Sequence, residues 1–373
     1  MFSFKQYDFK KYNVSLLTLI LILCGIGAFA IKMVEQPGEG LFMKQVIGIV
    51  LGLCIAAFVS IVDYHFLSRM FIPLYIVNIG LLVLVKVAGK SINYSQRWIS
   101  IGGIAFQPSE LSKIILVIFL AQFFAIMKDK LNKWWCILLV LVLTAIPTFM
   151  ILKQPDLSSS LVSVFIFIVM IFAAGLSYKI ITPIVAIGVP LGLGLFWYVL
   201  QDFQVLLKPY QQERILSLLH PEEHPDQIFQ QSNSIAAIQA GGLYGKLLDQ
   251  SAGSYRAYDS VPISESDFIF SVIGEELGFI GCCLFFALFA IMIYKCIKIA
   301  QNAPDYTGYL IALGISALFM FQVFANIGVA TAILPNTGLP LPFISSGLSS
   351  LIGGFISIGI LLNIGIQRKK NRG

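Results

Sequence analysis

Charge is what this chain has least of. Asp, Glu, Lys and Arg make up 12% of its 373 residues, about half the share usual in a soluble domain. Histidine is nearly missing, with 3 residues, and the 6 cysteines all lie in or beside apolar runs without metal-ligand spacing. Neither a disulfide framework nor a cysteine metal site is expected. His220-Pro221-Glu222-Glu223-His224 fits an H-x-x-E-H zinc pattern. Pro225 follows at once, however, which disfavours a helix carrying both histidines, and the only other histidine, His65, falls on the opposite side of the expected topology, so zinc catalysis is disfavoured. There is no Walker loop and no nucleophile elbow. The net charge of +6 is scattered over short loops and tails and forms no stripe, which argues against nucleic acid as a partner.

What the chain has in abundance is apolar sequence, with 58% hydrophobic residues. Runs of 18 or more apolar residues recur throughout, each long enough to cross a hydrocarbon layer of about 30 Å at 1.5 Å per residue. The expected fold is an all-α integral membrane protein, one polytopic domain over residues 1–373. Ten transmembrane helices are predicted near 13–31, 45–62, 67–85, 109–127, 133–152, 157–174, 179–201, 268–294, 306–331 and 345–366. Lys10, Lys11 and Ala28-Phe29-Ala30 imitate a signal peptide, but the segment reads as an uncleaved first span. Lys5, Lys10 and Lys11 mark one terminus, and Arg368, Lys369, Lys370 and Arg372 the other. Arg69, Lys128, Lys130, Lys133, Lys179, Lys295 and Lys298 fall in connections on that same side. The positive-inside rule makes that side, and both termini of a multi-pass protein, cytoplasmic.

The longest outward connection is an extracytoplasmic loop of about residues 202–267, between helices 7 and 8. Loops of that length are usually functional. Ser234-Ile235-Ala236-Ala237-Ile238 followed by Gly241-Gly242 predicts a short amphipathic helix on the membrane surface, closed by glycine. Span seven carries Pro183, Pro190, Gly188 and Gly192, which suits either an ordinary kinked helix or a movable wall of a lipid-entry groove.

Four clusters carry the chemistry. Asp267 stands at a water–lipid boundary, where a carboxylate loses solvation; it is the candidate proton acceptor, and it also suits an N-cap of span eight. Glu275 and Glu276 follow inside that span and point about 100° apart, so at most one faces a site; structural or coupling roles come first for both. Glu110 and Lys113 lie at i and i+3 on one helix face, either as a neutralising pair or as a polar floor for a head group. Asp156 caps span six or binds substrate, and Arg97 and Arg214 in outward segments are candidate phosphate ligands.

These blocks, taken in order, resemble the SEDS family (RodA/FtsW-type; shape, elongation, division and sporulation) over nearly the whole chain. The resemblance rests on Arg97-Trp98-Ile99, Gln107-Pro108-Ser109-Glu110, Gln154-Pro155-Asp156-Leu157, and Ala237-Ile238 with Gly241-Gly242. It continues through Ser266-Asp267-Phe268-Ile269-Phe270, Gly274-Glu275-Glu276-Leu277-Gly278, Leu334-Pro335-Asn336-Thr337-Gly338 and Leu341-Pro342-Phe343-Ile344-Ser345. Departures fall at Ile263, Glu265, Leu247 and Ser345–Ser350, and none touches Asp267. The resemblance implies a peptidoglycan glycosyltransferase of the bacterial inner membrane that polymerises lipid II, a disaccharide peptide on undecaprenyl pyrophosphate, and that pairs with a class B penicillin-binding protein. It implies Asp267 as the essential loop aspartate and matches Glu110, Lys113 and Asp156 to family positions. No organic cofactor is expected; a divalent cation is possible and its ligands are unknown. Two rival classes follow from the same features: a lipid II flippase, and a scaffold that only recruits a transpeptidase.

Overall fold

The computed structural model describes residues 7–92, 95–101, 104–154, 156–201, 203–206, 209–220, 222–223, 225–247 and 255–367. The described helices are α1 (Val14–Val34), α2 (Leu41–Ile61), α3 (Tyr64–Arg69), α4 (Phe71–Ala88), α5 (Pro108–Ile126), α6 (Trp134–Lys153) and α7 (Leu157–Ala173). They continue with α8 (Tyr178–Val199), α9 (Pro209–Leu219), α10 (Pro225–Ala240), α11 (Ile269–Gln301), α12 (Tyr306–Ala330) and α13 (Leu348–Ile366). The helices α1, α2, α5, α6, α8, α11, α12 and α13 are long and apolar enough to cross a membrane, and α4 and α7 are shorter apolar helices. The chain is therefore a multi-pass membrane protein.

Local chemistry sets the helix starts. Asn13 accepts a hydrogen bond from the Leu16 N–H, Asp156 from Ser159 and Asp305 from Gly308, each capping the helix that follows. Pro108 opens α5, where its missing N–H leaves no helix bond unmade. The central helices α5, α12 and α13 are mostly buried, whereas α2 and α6 bury one side. Exposed Leu, Ile, Val and Phe on the outer helices are the expected surface of a protein solvated by lipid. Helix α8 is continuous through both prolines, and Ile180 is its one buried residue. It is not packed like an ordinary kinked helix, and its Gly188 and Gly192 meet nothing within 4 Å.

Two features were not expected. Between α4 and α5 the chain forms a small antiparallel sheet, β1 (Lys90–Ile92), β2 (Ser95–Ile101) and β3 (Ile104–Phe106), in that order. Ile99 pairs with Phe106 and Ile101 with Ile104. The second feature is a break in α11 at Gly278, where φ is 65° and ψ is −168°. Only glycine reaches that conformation cheaply. The broken helix leaves backbone groups without helical partners, and the segment after α10 supplies them. Phe279 N donates to Gly242 O at 2.9 Å and Ile280 N to Leu243 O at 3.2 Å. Lys246 N donates to Glu275 O at 2.9 Å and Leu247 N to Glu276 O at 3.0 Å. Non-helical backbone at membrane depth survives only when protein satisfies it in this way.

At the opposite end of α12, His65 is clasped by two carboxylates. Its Nδ1 lies 2.8 Å from Asp63 Oδ1 and its Nε2 2.6 Å from Asp305 Oδ2. Burial alone would lower the imidazole pKa, but the two carboxylates outweigh it and hold it above its ordinary value. Asp63 and Asp305 are held below theirs; burial opposes this, and hydrogen bonds to the carboxylates together with the His65 charge win. The clasp joins the turn after α2 to the start of α12.

Candidate active site

A cavity of about 450 Å³ opens where β2, the start of α5, the turn before α11 and the segment before α13 converge. Arg97, Glu110, Asp267, Gln230, Asn336 and Gly338 are on its wall. Four predicted site residues thus come to one place: Arg97, Glu110 and Asp267 line the cavity directly, and Asp156 lies just behind it.

Asp156 spends its carboxylate on structure. Oδ1 accepts from Ser159 N at 3.1 Å as the cap of α7. Oδ2 accepts from Gln107 Nε2 and Ser109 Oγ, both at 3.2 Å. Arg97 Nη1 stands 3.9 Å from Oδ1, while its Nε donates to Gln154 O at 3.2 Å. Asp156 therefore ties the sheet and α5 to α7 and aims the guanidinium of Arg97.

Glu110 and Lys113 form a buried pair at 2.8 Å, with side chains 5% and 1% exposed. The i, i+3 spacing read from the sequence makes the contact. Lys113 is not on the cavity wall; it sits behind Glu110 and touches the site through it. Arg214 lies in α9, and its side chain is outside the described residues, as is His224 of the H-x-x-E-H run.

Asp267 is placed by its backbone. Helix α11 starts at Ile269 with Phe268 in the cap position and no side-chain cap bond, so Asp267 is not an N-cap. Asn326 Nδ2 donates to Asp267 O at 2.9 Å and to Leu339 O at 2.8 Å. Ser345 Oγ donates to Ser266 O at 2.6 Å, and Ser346 N to Glu265 O at 2.8 Å. Ile263, four residues earlier, holds φ 59°, a conformation β-branched residues rarely adopt. Gly338 presses on the carboxylate itself: with φ +63°, a Cβ there would stand 3.0 Å from Asp267 Oδ2.

The Asp267 side chain accepts a hydrogen bond from Ser266 Oγ at 3.2 Å, and among the described residues it makes no ion pair. Burial pushes its pKa up to about 6; the Ser266 hydroxyl and the positive charge of Arg97 pull against this, while Glu265 and Asp156 add to it. A carboxyl poised near neutrality is suited to proton transfer.

Glu275 and Glu276 both turn away from the cavity. Glu275 accepts from Ala257 N and Tyr258 N at 2.8 Å and pairs with Lys246. Glu276 accepts from Arg256 Nε at 2.6 Å and Tyr258 Oη at 3.0 Å. They fasten the loop before Asp267 to the first half of α11. Helix α10 is longer than the predicted stretch and docked on the protein, with Gln231 Nε2 donating to Val329 O and Leu334 O, and Ser234 Oγ to Ala330 O.

The FtsW/RodA/SpoVE family, described as cell cycle protein, matches residues 10–370. The chain belongs to this family. It is 34% identical to the probable peptidoglycan glycosyltransferase FtsW of Trichlorobacter lovleyi, over 96% of this chain and 94% of that one. It is 34% identical to stage V sporulation protein E of Bacillus subtilis, over 94% and 95%. It is 31% identical to the peptidoglycan glycosyltransferase MrdB of Escherichia coli, over 97% and 96%. Among solved structures, a chain of a peptidoglycan synthase complex that coordinates polymerization and crosslinking matches with TM-score 0.77 and 28% identity, over 95% of this chain and 97% of that one. The rod shape determining protein RodA of Thermus thermophilus matches with TM-score 0.67 and 28% identity, over 96% of each.

Among the described residues, no three His, Cys, Asp or Glu side chains gather as a metal cage. A hydrated Mg²⁺ held by one wall carboxylate and substrate phosphates needs fewer protein ligands. Among the described residues, Glu110 and Asp267 are the two carboxylates on the wall, and Glu110 is already neutralised by Lys113.

Proposed function

We propose that this chain is a peptidoglycan glycan-strand polymerase that uses lipid II, with Asp267 as its general base. The relatives' names support the activity. The observation that carries the base assignment is the difference between the two carboxylates on the wall. Glu110 is bound to an ammonium, whereas Asp267 keeps its acceptor capacity and a raised proton affinity.

In the reaction, the 4-hydroxyl oxygen of an acceptor sugar attacks the anomeric carbon of a lipid-linked donor. The new C–O bond forms as the bond to pyrophosphate breaks, and Asp267 takes the hydroxyl proton. One displacement inverts an α-linked donor to a β bond. Pyrophosphate leaves without an obligatory acid, so the remaining need is to stabilise its charge. Arg97 stands on the wall for that task, and Arg214 is a second candidate. Lys113 holds the Glu110 carboxylate in place for the sugar or head group, and Asp156 holds Arg97. A divalent cation would add charge neutralisation at the pyrophosphate; no step here depends on one.

The reading places the cavity outward and both termini in the cytoplasm. It counts ten spans, the eight long helices together with α4 and α7. A class B penicillin-binding protein is the proposed partner, by analogy with the synthase complex. The deciding experiment is lipid II polymerisation by the purified chain in detergent, with and without such a transpeptidase. Glycan polymer is expected from the chain alone. A carrier that only moves the lipid, or a scaffold, would make none where no compartments exist.

A further inference from the structure

At the far end of α11 from Asp267 lies a second cavity, of about 500 Å³, which the chemistry above does not use. Lys11, Lys295 and Lys298 line it together with Asn13, Ser15 and Asn302. Its described lining includes no acidic residue. Among the described residues none of these three lysines forms an ion pair. Lys295 Nζ donates to the neutral Ser15 Oγ at 2.8 Å, and Lys298 Nζ stands 5.9 Å from the centre of the Tyr294 ring. Toward the other end of the molecule the pattern is the reverse, since Arg97, Lys113, Lys246 and Arg256 each meet a carboxylate.

Three like charges around one concavity repel one another and focus a positive potential into it. An anion relieves that repulsion, and the amides and hydroxyls on the wall can complete its hydrogen bonds. The surface beside the cavity is apolar and uncovered: Val14 on α1 is 61% exposed, and Ile291 and Tyr294 on α11 are 45% and 62% exposed. A ligand that fits both parts is anionic at one end and hydrocarbon at the other.

We infer that this cavity holds the phosphate of an anionic phospholipid, with its acyl chains along the exposed seam of α1 and α11. Basic pockets between membrane helices recognise such head groups. Free phosphate shares the head-group chemistry but gains nothing from the seam.

The test uses the full chain purified in neutral detergent, titrated with phosphatidylglycerol, phosphatidylcholine and inorganic phosphate, with binding read by native mass spectrometry and thermal unfolding. Phosphatidylglycerol is expected to bind at least about tenfold tighter than phosphatidylcholine. Each lysine near the head group contributes about fivefold, so Lys295→Gln with Lys298→Gln weakens that binding about 25-fold. Lys11→Gln alone gives the fivefold step if the double variant does not fold. Lys128→Gln with Lys130→Gln, in another basic connection, leaves binding unchanged. Equal binding of the two lipids, or an equal loss in both double variants, overturns the site. Full displacement of phosphatidylglycerol by millimolar phosphate overturns the lipid assignment.

Discussion

Replacing Asp267 by Asn separates the proposed chemistry from the architecture that carries it. The side chain keeps its size and can still accept from Ser266 Oγ, while the Asn326 bond to its main-chain carbonyl is untouched. What disappears is the proposed base. General base catalysis is worth about 10²–10⁴-fold, so polymerisation should fall by that factor, equivalent to about 3–5 kcal/mol on the barrier. Stability moves the other way. The folded carboxyl, pushed to about 6, binds a proton more tightly than the ordinary aspartate at 3.8. Between those values the folded state holds more protons than the unfolded chain, so stability is lost as pH rises through that window. At pH 7 the charged form costs at most about 3 kcal/mol, which the neutral amide does not incur. The assay pairs lipid II polymerisation with thermal unfolding in detergent from pH 5 to 8. Unmodified protein should gain activity as pH rises through about 6. The variant should unfold at an equal or higher temperature and show almost no activity. Polymerisation within about tenfold of the unmodified protein, or a residual rate that still rises near pH 6, would place the proton acceptor elsewhere.

Three further outcomes follow from the same geometry. Glu110→Ala or Lys113→Ala leaves its partner's charge buried and unpaired, a loss of about 3–5 kcal/mol; Glu110→Gln with Lys113→Met should lose clearly less than the two single changes together, as read from detergent thermal unfolding. Gly338→Ala sets a methyl 3.0 Å from Asp267 Oδ2 in a left-handed backbone, costing about 1–2 kcal/mol of stability, and it should depress kcat about tenfold or more because the misplaced atom is the base; near-normal turnover would show that the carboxylate has room to move. The His65 clasp predicts a pH window for stability. Its aspartate contributions are present above about 3.9 and fade as pH falls through their lowered values, while the histidine contribution is full below about 6.5 and fades as pH rises through its raised value. Solvent screening limits the clasp to about 1 kcal/mol, and His65→Gln should flatten the alkaline side of the unfolding-temperature profile.

Much of this was legible in the sequence because lipid imposes a simple rule: long apolar runs become helices, and the predicted spans meet described helices within a few residues at most ends. The cluster spacings were also readable, since Glu110 and Lys113 share a face by helical geometry and Asp156 caps α7 as its type and place suggest. Three things were not. The sheet falls in a connection between two apolar runs, and its one local signal is the alternation of Trp98-Ile99-Ser100-Ile101 ahead of Gly102-Gly103. Gln107, Ser109 and Asn326 are ordinary polar residues whose importance lies in partners far along the chain, which spacing cannot reveal. The spacing of Glu110 and Lys113 suits a neutralising pair and a polar floor alike, and which way the pair faces depends on how α5 packs.

The break at Gly278 explains how a membrane helix can present a carboxylate at a boundary and hold it still. An unbroken α11 would continue its axis from the lipid-facing half straight through Asp267. Broken at Gly278, its first half is buried from Ile269 to Glu276 and runs at its own angle. The bend exposes backbone groups, and the chain answers them with Gly242, Leu243, Lys246 and Leu247. Those residues close α10, which is itself bonded to the end of α12 through Gln231 and Ser234. Glu275 and Glu276 then pin the 255–261 segment onto the same half-helix, Glu275 through two backbone N–H groups and Glu276 through an arginine and a tyrosine, while Lys246 pairs with Glu275 from the segment after α10. Two adjacent acids inside a membrane helix look at first like competitors for one site. Pointing about 100° apart, they instead grip two sides of the loop that leads into Asp267, so their charge holds the proposed base in place and does not share its work.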